Sequence, residues 1–197
     1  MTAAKTLDLV SVSDYLSGEL RSPIKHEYLG GVVYAMAGAR NLHHRIATRM
    51  VGMLYVRLRG KPCQPYNSDT KIRVRFLTHE RFYYPNASVV CQPNADDDAF
   101  QDQPVVVLEV LSRKTRRIDE GEKKNAYLTL PSLRVYLMVE QDTAAVIVYR
   151  RAGQSFIREV YQGLDTVLPL PEIETDLPLA EIYEGLELVP ESGVDDE

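Results

Sequence analysis

The chain has 197 residues, 45% of them apolar and 26% charged, with a formal net charge of -5 at pH 7. That length and apolar share suffice for one domain with its own core and exclude a disordered tail, while the acidic balance argues against indiscriminate polyanion binding by the whole surface. No apolar run approaches the ~20 residues of a membrane span, and the start "MTAAKTLDLV" lacks the charged-then-apolar layout of a signal peptide, so no membrane association and a cytoplasmic location are expected. Cys63 and Cys91 lie in strand-like surroundings without CxxC spacing. Buried thiols are expected there rather than a disulfide or a zinc site.

In chain order, "SVSDYLSGEL" has a Ser or Asp start and Gly18 near its end, the signature of a short capped helix. "KHEYLGGVVYAMAG" predicts a hairpin turning at Gly30-Gly31. Leu42, Ile46, Met50, Leu54 and Leu58 then recur at four-residue spacing, with Asn41 as N-cap and Gly60 as stop, which predicts a long helix. From Cys63 to Cys91 the pattern is that of strands, with Ile72, Val74 and Phe76 alternating against Lys71, Arg73 and Arg75. "QPNADDDAFQDQ" is a polar loop, and "PVVVLEVL" is a β-branched run of the kind that is covered on both faces. "TRRIDEGEKKNAYLTL" predicts a helix stopped by Pro131, followed by strands in "RVYLMVEQ" and "AAVIVYRR". Residues 104 to 141 thus form a βαβ-like crossover in a mixed sheet. "LPLAEIYEGLEL" predicts a short helix. Residues 1–190 are expected to form one domain and 191–197 a disordered acidic tail.

A charged residue inside a central apolar strand is costly unless it is paired, hydrogen-bonded or bound to a cation, and Glu109 in "VVVLEVL" is such a residue. It is either a strand-end acid paired with an arginine or a metal ligand at the carboxyl end of the sheet. Glu27 at the hairpin entry, Asn86 after Pro85, and Lys123 on the following helix are further polar candidates. Carboxylates with a lysine suit phosphodiester hydrolysis, because oxygen ligands hold Mg²⁺ and an ammonium orients water or offsets developing charge. Lys123 could equally be a solvated helix residue. His43 reads as a helix-end hydrogen bonder, Asp69 as a turn former, and Ser112 as a turn or helix-start hydroxyl. Arg113, Lys114, Arg116 and Arg117 read as phosphate contacts or a solvated loop.

The segments "KHEYLGGVVYAMAGARNLHHRI", "NSDTKIRV", "YYPNASVVC", "VVVLEVLSRKT" and "EKKNAYLTLPSLRVYLMVEQD" together resemble the Uma2 family (DUF820) of the PD-(D/E)XK restriction-endonuclease-like superfamily, over roughly residues 10 to 150. The resemblance implies an α/β fold with a mixed central sheet flanked by helices, and a Mg²⁺- or Mn²⁺-dependent endonuclease acting on DNA, commonly as a homodimer. The family's PD dipeptide falls on Pro85-Asn86, its motif glutamate on Glu109 and its N-terminal acid on Glu27; the resemblance also matches His43, which implies a residue facing the cleft, and Asp69, which implies a further carboxylate near the site. The ExK lysine position is Leu111 here, and the family's lysine, carried on the next helix, falls on Lys123, with Lys124 adjacent. Asn86 stands where the family has aspartate. It keeps an oxygen ligand and removes a negative charge, which weakens a Mg²⁺ site formed by Glu109, Asn86 and Glu27. The expected function is therefore an endonuclease, impaired by Asn86, or a catalytically silent nucleic-acid-binding or dimeric interaction module on the same fold.

Overall fold

The computed structural model describes residues 9–113 and 115–188. Lys114 and the acidic tail expected at 191–197 lie outside the described residues. Helix α1 (Val12–Glu19) is capped by Ser11, whose hydroxyl accepts from the Asp14 N–H. Strands β1 (His26–Leu29) and β2 (Val32–Ala35) form the expected hairpin. Gly30 and Gly31 turn it at φ of 59° and 105°, conformations that favour glycine. Helix α2 (Asn41–Arg57) buries His43, Ile46, Met50, Met53 and Leu54 along one side. Arg40, not Asn41, holds its cap position.

Strands β3 (Gln64–Asn67), β4 (Lys71–Arg75), β5 (Glu80–Tyr83), β6 (Ala87–Val90), β7 (Phe100–Gln101) and β8 (Pro104–Val110) follow. The single helix expected after β8 is instead three pieces: α3 (Arg116–Ile118), a π turn (Asp119–Lys123) and α4 (Lys124–Tyr127). The π turn contains Gly121, whose low helix propensity weakens the α ladder there. Then come β9 (Val135–Val139), β10 (Ala145–Ala152), β11 (Ser155–Gln162), β12 (Val167–Leu170), β13 (Thr175–Pro178) and α5 (Leu179–Ile182).

The strands form a six-stranded sheet in the order β11-β10-β9-β8-β6-β3, a five-stranded sheet in the order β2-β1-β5-β4-β7, and the β12-β13 ribbon. Within the larger sheet β8 and β9 are parallel and joined by the helical crossover, while β6 and β8 are antiparallel, so the sheet is mixed as expected. Period-two alternation along β8 gives its two faces different partners. Val106, Leu108 and Val110 join α2 in one core cluster; Val107 and Leu111 join Ala126, Tyr127, Tyr136 and Tyr83 in another. Glu109 therefore lies on the face toward α4 and the five-stranded sheet.

The expectation of free thiols is corrected. Cys63 and Cys91, 28 residues apart in sequence, form a disulfide. The antiparallel register Gln64↔Val90, carried one step outward, sets these two cysteines opposite each other, which no local spacing reveals. Among the described residues no helix is long and apolar enough to cross a membrane.

Candidate active site

Glu109, Asp119 and Lys123 are 3%, 2% and 7% exposed, so an acidic and basic cluster is buried where the two sheets meet. Three elements build it: β1 carries Glu27, β8 carries Glu109, and the π turn carries both Asp119 and Lys123. Lys123 Nζ lies 2.8 Å from Glu27 Oε1, 3.6 Å from Glu109 Oε1 and 3.8 Å from Asp119 Oδ1. Lys124 instead lies over the Tyr149 ring, 5.0 Å from its centroid. Of the two adjacent lysines, Lys123 enters the cluster. Asp119 was not singled out in the sequence, where it sits in the charged run "RRIDEGEKK"; its i,i+4 spacing to Lys123 was the available signal.

Three carboxylates around one ammonium leave the cluster two negative charges in excess when all are ionised. Two unit charges 4 Å apart interact with about 4 kcal/mol at an effective dielectric of ~20, so such a cluster retains a proton or recruits a cation. Burial pushes the Glu109 carboxyl up to about 8, with Asp119 and Glu27 adding to the shift and Lys123 opposing it. Burial likewise raises Asp119 against the pull of Lys123. Burial would lower Lys123, but Glu109, Glu27 and Asp119 outweigh it and hold the ammonium charged.

Asn86 leads into β6 beside this cluster. Its backbone N–H donates to Glu109 Oε2 at 3.2 Å, and its Oδ1 accepts from the Val110 N–H at 2.7 Å. The amide oxygen thus has one lone pair committed to β8. The same bond would serve an aspartate, so fold maintenance does not require the amide. Glu27 Oε1 also accepts from the Tyr84 N–H at 3.3 Å, which ties β1 to the turn leading into Asn86. Two atoms in this region are buried and without hydrogen-bond partners: Glu109 Oε1 and the Tyr127 hydroxyl. His43, in the first turn of α2, sits against the Val110 backbone and the Asn86 side chain; burial and then His44 lower its pKa, and its Nδ1 also has no partner.

The remaining candidates fall outside the cluster. Asp69 is exposed and pairs with Lys25 at 2.5 Å, while its backbone N–H donates to Asn67 Oδ1 at 3.0 Å in a turn. Ser112 Oγ meets Thr115 Oγ1 at 2.9 Å and accepts from the Thr115 N–H, a helix-start role. Arg116 is engaged by Glu120 at 2.9 Å and by Glu140. Arg117 is exposed.

Among the described residues no group of three His, Cys, Asp or Glu side chains stands in metal-holding geometry. Lys123 occupies the centre of the carboxylates instead. The donor set nevertheless fits a hard divalent cation, because Glu27, Glu109 and Asn86 offer oxygen, and Glu109 Oε1 is buried with an uncommitted lone pair.

A mixed sheet that aims an acid and a crossover lysine into one buried cluster defines an α/β restriction-endonuclease-like protein. The chain belongs to the Uma2 family, described as "Putative restriction endonuclease", whose sequence profile matches residues 12–180. It is 32% identical over 179 residues to the uncharacterized protein slr1290 of Synechocystis sp., covering 90% of this chain and 93% of that one. It is 26% identical over 156 residues to the uncharacterized protein sll1609 of the same organism, covering 78% and 87%. A crystal structure from Anabaena variabilis, described as a putative nuclease belonging to DUF820, matches the fold with a TM-score of 0.69 at 16% identity, covering 88% of this chain and 97% of that one.

Proposed function

We propose that the protein is a metal-dependent endonuclease that hydrolyses DNA phosphodiester bonds, with Mg²⁺ or Mn²⁺ held by Glu109, Glu27 and Asn86. The observation that carries this reading is the Lys123 ammonium among Glu27, Glu109 and Asp119, beside a Glu109 oxygen with no hydrogen-bond partner. When bound, the cation supplies charge neutralisation and Lewis acidity toward a phosphoryl oxygen. Glu109 and Glu27 would hold it through carboxylate oxygens, and the cation's charge would then favour the ionised form of Glu109 over the proton that burial holds there. Lys123, kept charged by the carboxylates, orients a water or offsets charge that develops on the phosphoryl group. Asp119 restrains Lys123 from within the same π turn. Asn86 holds the Glu109 carboxylate through its backbone N–H and contributes a neutral oxygen, which makes the cation site weaker than one with aspartate. Action on DNA in a homodimer in the cytoplasm completes the proposal.

The test is supercoiled plasmid with Mg²⁺ or Mn²⁺. Nicking by the parent chain, lost by at least ~100-fold in Glu109→Gln, is expected for a group that acts on the reacting phosphate. Nicking that survives Glu109→Gln overturns the site. Metal-independent binding of DNA without nicking by either the parent chain or Asn86→Asp would favour the silent binding module.

A further inference from the structure

Strand β11 forms one edge of the six-stranded sheet, and no other sheet edge among the described residues is as long. Edges are ordinarily protected by brevity, by proline or by a bulge, because a row of unpaired N–H and C=O groups is a template for another strand. The other edges follow that rule. β2 and β3 have four residues each and β7 has two, β3 contains Pro65, and the β12-β13 ribbon contains Pro169 and Pro178. β11 has eight residues, no proline, and an unbroken register with β10. None of its residues is buried, and Ile157 and Val160 are 56% and 49% exposed. The hairpin fixes which way its backbone groups point. Ala152 and Ser155 close a two-residue turn and the Gly163 N–H donates to the Ala144 oxygen at 2.9 Å, so the odd-numbered residues bond β10, while the N–H and C=O groups of Phe156, Arg158 and Val160 point outward.

We propose that β11 is a homodimer interface, in which two copies of the chain pair their β11 edges antiparallel about a two-fold axis at Ile157. A two-fold axis between antiparallel strands matches even residues with even and odd with odd, so the outward-pointing groups of one copy bond those of the other. Centring the axis on Arg158 or Glu159 sets like charges directly opposite each other, which is destabilising. Centring it on Val160 brings in Gln162, whose oxygen already accepts from Thr166 Oγ1 at 2.6 Å, and the turn that follows. Centring it on Ile157 opposes Ile157 with Ile157, Ser155 with Glu159, and Phe156 with Arg158 of the second copy. These are an apolar pair, a hydroxyl with a carboxylate, and a guanidinium with a ring over which Arg151 already lies 4.5 Å from the centroid. Phe156 and Arg158 exchange backbone hydrogen bonds with Arg158 and Phe156 of the second copy. Such self-complementarity favours a second copy over an unrelated strand as the occupant. The interface rests on the homodimer of the proposed function, but assembly is read without DNA, so its failure and that of the hydrolysis reading are separable.

The test is sedimentation equilibrium of the full chain from about 1 to 200 µM. Pairing of one short strand segment is a small interface, so a mass that rises with concentration from one chain toward two is expected. Ile157→Lys sets two ammonium groups against each other at the axis and should raise the dimer dissociation constant at least about tenfold. Ile157 is exposed in the single chain, so the melting temperature of this variant at low concentration should match the parent's. Crosslinking reads the register. Cys63 and Cys91 are bonded to each other, so Ile157→Cys carries the one free thiol of the chain. Air oxidation with copper phenanthroline should join two copies through it. Val160→Cys would lie about 20 Å from its counterpart, six residues along the paired strands, and should stay unjoined. A parent that stays monomeric, a dimer that Ile157→Lys leaves intact, or equal crosslinking through Val160→Cys each overturns the proposal. The first result would assign the edge to a strand of another protein, and DNA nicking by that monomer would keep the hydrolysis reading while removing the dimer.

Discussion

Two partly buried charge groups in this molecule are built from the same kinds of residues and reach opposite balances. On the five-stranded sheet, Arg73 on β4 forms paired 2.7 Å bonds to the two carboxylate oxygens of Asp102, and Asn94 adds a 3.1 Å bond while accepting the Asp102 N–H. Arg73 also stacks over Phe100, 4.1 Å from the ring centroid. Burial alone would raise Asp102, but the bonds from Arg73 and Asn94 outweigh it and hold the carboxyl below its usual range. Around Lys123 three carboxylates share one ammonium, and an oxygen of Glu109 is left without a hydrogen bond. The first group is a closed ion pair that fixes a loop to a strand. The second is closed only when something else supplies positive charge, and such deficits mark functional sites more often than structural ones.

The largest expected effect breaks both groups in the same way. Lys123→Met strands buried carboxylate charge, at a cost of about 3–5 kcal/mol in metal-free buffer by chemical denaturation; Arg73→Met should cost less, because Arg75 stays 3.6 Å from Asp102 and Asn94 still donates to it. Millimolar Mg²⁺ should return part of the loss in Lys123→Met, because a cation can take the place of the ammonium among the three acids. It should return nothing in Arg73→Met. Equal responses to Mg²⁺ would erase the distinction between the two groups.

Opposite pH dependences sharpen it. Asp102 has a lower pKa folded than unfolded, so its contribution is present above the unfolded value of ~4 and is lost as pH falls through the folded value. Glu109 has a folded pKa of about 8 against an ordinary value of 4.5, so the folded state binds the extra proton between those values. Metal-free stability should therefore decline as pH rises from about 4.5 toward 8, and Glu109→Gln should flatten that decline without altering the acid limb. Asp102→Asn should do the reverse. Denaturation midpoints measured from about pH 3 to 9 read both limbs.

A smaller effect belongs to the amide. Asn86→Asp keeps an acceptor for the Val110 N–H and adds a fourth acid to a group already in charge excess, so the metal-free protein should lose about 1 kcal/mol, or ~2–4 °C. With Mg²⁺ the order should invert, the aspartate variant gaining more in melting temperature and nicking faster. The same metal-dependent shift in both proteins would show that Asn86 is a tolerated variation and that the oxygen count, not its charge, sets the site.

How much of this was legible depended on the range of the interaction. Glu109 stood out because an acid inside "VVVLEVL" breaks a local rule, and the helix-period residues of α2 declared their core face. Asp119 did not stand out, because a charged run of that kind ordinarily describes a solvated helix; only the packing of the π turn against β8 and β9 turns it inward. The Cys63–Cys91 bond depended on the β3–β6 register, which lies beyond any local pattern. Strands β11 to β13 went unread for related reasons. Pro169 and Pro178 sit inside the β12-β13 ribbon, where edge positions tolerate a missing N–H, yet in sequence they look like breaks.

The smallest effect concerns the stretch between the metal candidates and the solvent, where the same contrast recurs at the surface. Arg116 resembles Arg73: Glu120 and Glu140 hold its guanidinium, and these bonds raise its pKa, the Glu140 hydrogen bond most. Arg117, one residue on, is exposed. If the stretch meets a phosphate backbone, Arg117→Ala should weaken DNA binding equally across sequences and reduce the slope of log K against log salt by about one. Arg116→Ala should leave that slope nearly unchanged, because its charge is already neutralised within the chain, and should cost no more than about 1 kcal/mol of stability for a partly exposed pair. Fluorescence anisotropy with a short duplex from about 50 to 200 mM salt separates the two. A slope that falls with Arg116→Ala and not with Arg117→Ala would mean that the Glu140 pair opens on contact with the strand, and the division into closed and open groups would then fail at the surface while holding in the core.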